Sequence, residues 1–198
     1  MRVGAPIWDL GSLLEVADVV VIASALEDRC SWEDGRIVTY SRVRIDRAIA
    51  GELGNDPHWI RTKGGTIGSI CQFVDGEPVL QKTWPSLLFL VRVPAFPRPS
   101  IGPNDARRSS RITPDSNRPS GIPWGLGGFE VAGNAHGQFP IILGDRDEPR
   151  AIPSPWLCVL NPMAVELRLD PFANVTLDKL SRDLFKNWTR AHTARADS

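Results

Sequence analysis

The sequence predicts a mainly β chain: an antiparallel β-barrel or sandwich with a short N-terminal helix and an amphipathic C-terminal helix. Three observations predict it. Between Ser12 and Arg92, short β-branched or alternating runs follow one another across Gly-rich turns, the pattern of hairpin-joined strands rather than of helix-linked parallel units. The segment from Ile37 to Asp46 alternates, and successive strand side chains point to opposite faces. Ile37, Thr39, Ser41, Val43 and Ile45 therefore share one face, and Val38, Tyr40, Arg42, Arg44 and Asp46 share the other, wetter one. Near the C-terminus, Leu177, Leu180, Leu184, Phe185 and Trp188 fall on one helical stripe.

Taken in order, Ser12 to Asp18 reads as a short helix with Ser12 as its cap and Glu15 at capping-box spacing. Val19 to Ala25 is a β-branched run suited to a strand buried on both faces. Glu27 to Arg36 reads as a polar hairpin loop whose Asp34-Gly35 supplies positive φ. After the alternating strand, Arg47 to Pro57 turns the chain into a short strand, His58 to Thr62. Gly64, Gly65 and Gly68 punctuate the next strand, Thr66 to Val74, and imply bulges or a close backbone approach. A tight Asp75-Gly76 turn leads to Pro78 to Leu80, and Ser86 to Val93 is another buried strand.

Residues 94–123 change character, with seven prolines, five arginines and hardly an aliphatic side chain. Such a segment cannot offset the entropy of ordering by burial, so it reads as an excursion from a single domain spanning 1–198. It is either a tolerated surface loop or a clamp over an acidic partner. Trp124 to Ala132 and Gln138 to Leu143 resume β structure, followed by short strands at Trp156 to Leu160 and Val165 to Leu169. Helix 176–192, capped by Thr176, closes the chain.

Lys plus Arg equals Asp plus Glu at 23 each, so no global field draws nucleic acid or an anionic membrane. Cys30, Cys71 and Cys158 are odd in number and widely spaced, which fits buried thiols in a reducing compartment better than disulfides or a thiolate zinc site. The N-terminus shows no charged leader before an apolar run, and the cytoplasm is the expected location.

His58, His136 and His192 stand apart, so local spacing proposes no metal centre, and no cofactor is implied. No GxSxG elbow occurs, and Cys30 and the distant His136 are a thiol–imidazole pair that only the fold could bring together. Binding is better supported. Tyr40, Arg42 and Arg44, with Trp59 and Arg61 alternating one strand on, form a candidate face for an extended peptide, which would add main-chain hydrogen bonds at a sheet edge. Alternatively Tyr40 and Trp59 fill the core and the arginines face solvent. An exposed edge would also let two copies pair as a homodimer.

The elements Ala17 to Val21, Gly35 to Ile45, Gly64 to Gly68, Ser86 to Leu90 and Gly133 to Phe139 together resemble a little-characterised bacterial β-barrel family. Within it, the chain resembles the peptide-binding accessory proteins of crocagin-type ribosomal-peptide (RiPP) biosynthetic clusters. That resemblance implies noncatalytic binding of a precursor peptide, particularly its core, for presentation to separate modifying enzymes. Two other classes compete: a hydrolase or cyclase using a Cys or His on such a peptide, and an OB-type oligonucleotide-binding barrel, which zero net charge disfavours.

Overall fold

Two fifteen-residue strands, β1 (Val19–Glu33) and β2 (Arg36–Ala50), form one long hairpin in the computed structural model. The structure describes residues 8–82, 84–97, 124–125, 127–144, 147–155, 172 and 175–196. Asp34 and Gly35 make the turn with φ of 46° and 76°, the positive pair that suits the twist of a two-residue hairpin. The polar stretch before it is strand, not the expected loop. Its polar groups find partners across the ladder: Glu27 faces Arg42 and Asp28 faces Ser41, and Ser41 Oγ donates to Asp28 Oδ1 at 2.6 Å.

After β2 come β3 (His58–Lys63), β4 (Gly65–Ile67), β5 (Ile70–Gln72), β6 (Ser86–Val93), β7 (Gly128–Val131), β8 (Gln138–Leu143) and β9 (Pro149–Ala151). The pairings run full circle. β1 is antiparallel to both β2 and β6, β2 to β3, and β6 to β7, while β7 lies parallel to β3. Five strands thus form a ring, and the sheet is mixed rather than wholly antiparallel. Apolar side chains from all five fill its interior, among them Val21, Val43, Ile60, Leu88 and Phe129.

The expected strand Thr66 to Val74 is instead the small hairpin β4–β5, broken where Gly68 takes φ of 60°. A glycine is required at 65: its φ is 134°, and a Cβ there would lie 2.4 Å from Thr39 Oγ1 and 2.8 Å from Cys30 Sγ. Pro78 to Leu80 carries no strand. The strands expected at 156–160 and 165–169, Cys158, and residues 98–123 lie outside the described residues.

Helices α1 (Leu10–Val16) and α2 (Leu177–Ala196) cover the outer face of β1 and β6. Leu13, Leu14, Val20, Ile22, Leu87, Phe89, Leu180 and Leu184 build this second core, and Trp188 Nε1 donates to the Ala17 carbonyl at 2.8 Å. The cap of α1 is Asp9, whose Oδ1 accepts from Ser12 N at 2.7 Å. Ser12, the expected cap, sits inside the first turn because the helix starts at Leu10. On α2, Leu180 and Leu184 of the predicted stripe are buried, Leu177 and Trp188 are partly buried against the same core, and Phe185 is 53% exposed.

Candidate functional site

The antiparallel register sets Tyr40 opposite Arg61 and Arg42 opposite Trp59, so β2 and β3 bring these predicted contact residues onto one outer face. The face is not open to a guest at its aromatic residues. Tyr40 is 0% and Trp59 2% exposed, and together with Val38 and Phe96 they form a third small core. Phe96 and Trp124 pair as a parallel bridge at the two ends of the β6–β7 connection. Their rings meet Tyr40 edge-on, with centroids 4.9 and 5.1 Å away. Of the two sequence readings, core filling is correct for Tyr40 and Trp59: an aromatic cover replaces solvent on this face.

The charged residues of the face are held by partners. Arg61 places Nη2 2.6 Å from Glu33 Oε2 and Nη1 2.5 Å from Glu130 Oε1, and the Tyr40 hydroxyl donates to Glu33. Burial raises the Tyr40 phenol far above its ordinary value, and the hydrogen bond to the Glu33 carboxylate raises it further. Burial works against the Arg61 charge, but the bonds to Glu33 and Glu130 more than reverse that and hold the guanidinium protonated. Arg42 pairs with Glu27 at 2.7 Å, exposed Arg44 with Asp46 at 2.8 Å, and Lys63 with Glu77 at 3.1 Å. These carboxylates offset the basic residues that a phosphate chain would need.

A recess lies beside this face. The β3–β7 ladder spans only Ile60–Phe129 and Arg61–Glu130, so the ring is unlaced on the His58–Trp59 side. There a cleft of about 330 Å³ is bounded by the connection after β2 (Leu53, Asn55, Pro57), the start of β3, the end of β6 (Arg92, Val93) and residues 127–129. Trp59 lines it, and its indole Nε1 is buried without a hydrogen-bond partner among the described residues. A buried donor left unpaired is costly, roughly 1–3 kcal/mol. Arg92 stands over the Phe129 ring, its guanidinium carbon 5.5 Å from the centroid, and its Nη2 donates to the Glu52 carbonyl.

Trp59 therefore lines the cleft as part of the buried aromatic cluster and not as a member of an open sheet face. Leu53, Asn55, Arg92 and Phe129 escaped the sequence reading because four separate segments converge to make the cleft. The one available signal was Gly127-Gly128, where the backbone must be approached closely: a Cβ on Gly128 would fall 1.9 Å from Phe96 Cζ.

The thiols and imidazoles sit elsewhere or have structural partners. Cys30 Sγ lies 3.4 Å from Thr39 Oγ1, and Cys71 is exposed. His58 Nε2 lies 2.9 Å from Asp56 Oδ1. His136 belongs to a 3-10 turn, Asn134–Gly137, and His192 stacks on Trp188 with centroids 4.0 Å apart. Among the described residues, no three His, Cys, Asp or Glu side chains gather as a metal site, and no helix is long and apolar enough to cross a membrane. No family model, curated protein or solved structure matches the chain.

Proposed function

We propose that this protein binds an extended peptide in the β3–β7 cleft and performs no chemistry on it. The carrying observation is a recess of about 330 Å³ at an unlaced seam of the ring, lined in part by Trp59, whose buried indole N–H has no hydrogen-bond partner among the described residues. The volume falls in the lower part of the range for ligand pockets, roughly 300–1,000 Å³. Leu53, Pro57, Val93 and Phe129 give the recess apolar surface and polar groups contribute about as much again, a mixture that suits a peptide side chain flanked by amides. The seam offers strand ends beside which a guest backbone can lie.

The biological setting follows the resemblance drawn from the sequence: a precursor peptide of a crocagin-type RiPP pathway, presented in the cytoplasm to modifying enzymes. Docking would lower the entropy cost of delivering a disordered substrate. Free thiols at Cys30 and Cys71 suit a reducing compartment. The OB-type oligonucleotide reading gains from the five-strand ring. It loses on the face such barrels use, where the aromatic residues are buried and the basic residues paired.

The test is to pass random octapeptide pools over the immobilised protein and to weigh the retained peptides before and after incubation. Retention at unchanged mass is the expected outcome. Absence of retention refutes peptide binding, and a mass change makes the protein an enzyme.

A further inference from the structure

We infer that the cleft captures the C-terminal carboxylate of its peptide; the inference rests on the peptide-binding reading. The polar groups at the cleft are biased toward donors. The Trp59 indole can only donate, and its N–H is buried and unpartnered. Arg92 contributes a guanidinium at the rim, held over Phe129 and tied to the Glu52 carbonyl, and Asn55 adds a side-chain amide.

Among the described residues, no carboxylate lines the recess. The acidic side chains closest in sequence are engaged or exposed: Asp18 accepts from the Arg92 backbone N–H at 2.7 Å, Asp56 faces His58, and Glu52 is exposed. A cationic N-terminus would therefore meet the Arg92 guanidinium and the Trp59 donor with no anion among the described residues to answer it, whereas a carboxylate would meet groups of the right sign and the donor end of the Asn55 amide. Charge-assisted bonds of this kind are about twice as strong as neutral ones.

Size points the same way. A recess near the lower limit of ligand pockets accommodates the end of a chain better than a segment running through it. Leu53, Pro57, Val93 and Phe129 would surround the last side chain while its carboxylate reaches the Trp59 N–H and the guanidinium. The ligand class is thus a peptide with an apolar final residue and a free C-terminus.

Two acetylated random octapeptide pools, one ending in a free carboxylate and one in an amide, provide the test. The free-acid pool should be retained about tenfold or more over the amide pool, the value of a hydrogen bond to a charged group. With nitrogen-15 in the tryptophans, the indole signal absent from Trp59→Phe should move when the acid pool is added. Trp59→Phe and the surface change Arg92→Gln should each erode the preference, and Arg92→Gln keeps the test alive should the first variant fold poorly. Equal retention of both pools, or a preference for the amide, overturns the carboxylate site and leaves peptide binding standing. Retention of neither refutes both. Retention of free N-acetyl-leucine as strongly as of the acid pool would make the ligand a small acid and overturn the peptide terminus.

Discussion

Arg61 reaches Glu33 with its Nη2 2.6 Å from Oε2, and this contact joins the end of β1 to the middle of β3 across the intervening strand. Glu33 is 4% exposed, so its charge depends on Arg61 and on the Tyr40 hydroxyl. Arg61→Met should lower stability by about 3–5 kcal/mol, the cost of leaving a buried charge without its partner. Adding Glu33→Gln to that variant should recover part of the loss. Denaturant unfolding of the two variants checks this; a loss below about 0.5 kcal/mol for Arg61→Met would mean the pair contributes no more than a surface contact.

Tyr40 is the only tyrosine in the chain, so phenolate absorbance reports on it alone. Its folded-state pKa is raised by burial and by Glu33, so at alkaline pH the unfolded chain loses a proton that the folded chain keeps. The stabilising effect is complete below the ordinary tyrosine value, about 10, and stability falls as pH rises beyond it. Phenolate should therefore appear together with loss of the native fold. Ionisation near pH 10 in a chain that circular dichroism shows to be still folded would contradict the buried hydrogen bond.

Gly128 lets the Phe96 ring lie against the β7 backbone, where a Cβ would fall 1.9 Å from Cζ. Gly128→Ala should cost about 1–3 kcal/mol by overpacking and should loosen Phe96 from Tyr40. A melting temperature equal to that of the parent protein would show that the cover yields without cost.

Neighbouring positions on α2 separate the docked face from the free one. Leu184 is 1% exposed in the core shared with α1 and β6, and Phe185 is 53% exposed. Leu184→Ala should cost about 2–5 kcal/mol, whereas Phe185→Ala should stay within about 0.5 kcal/mol. Equal losses at both positions would mean that α2 packs in another rotation.

The strands were legible where periodicity and turn chemistry agreed. Asp34-Gly35 marked the central hairpin, Val19 to Ala25 read correctly as a buried strand, and Ser86 to Val93 read correctly as a strand but is buried only through Leu90, with Arg92 exposed. Polarity misled at Glu27 to Glu33: charged side chains suggested a loop, but cross-strand partners keep them in the ladder. Alternation set Tyr40 and Trp59 on one face but carried no information on what covers it, since Phe96 and Trp124 arrive from distant segments. The parallel β3–β7 pairing, and with it the cleft, depends on ring closure between residues nearly seventy positions apart, which no local pattern encodes.

The most direct measurement is photo-crosslinking of a retained octapeptide that carries a photoreactive residue at its C-terminal end, with the modified protein digested and the joined segments identified by mass. The cross-links should fall on residues 53–59 and 92–94, and Asn55→Trp, which narrows the cleft, should abolish them while the peptide mass stays unchanged. Cross-links concentrated on α2 or on the exposed side of the β4–β5 hairpin, or a peptide recovered with altered mass, would contradict a noncatalytic peptide site at the β3–β7 seam.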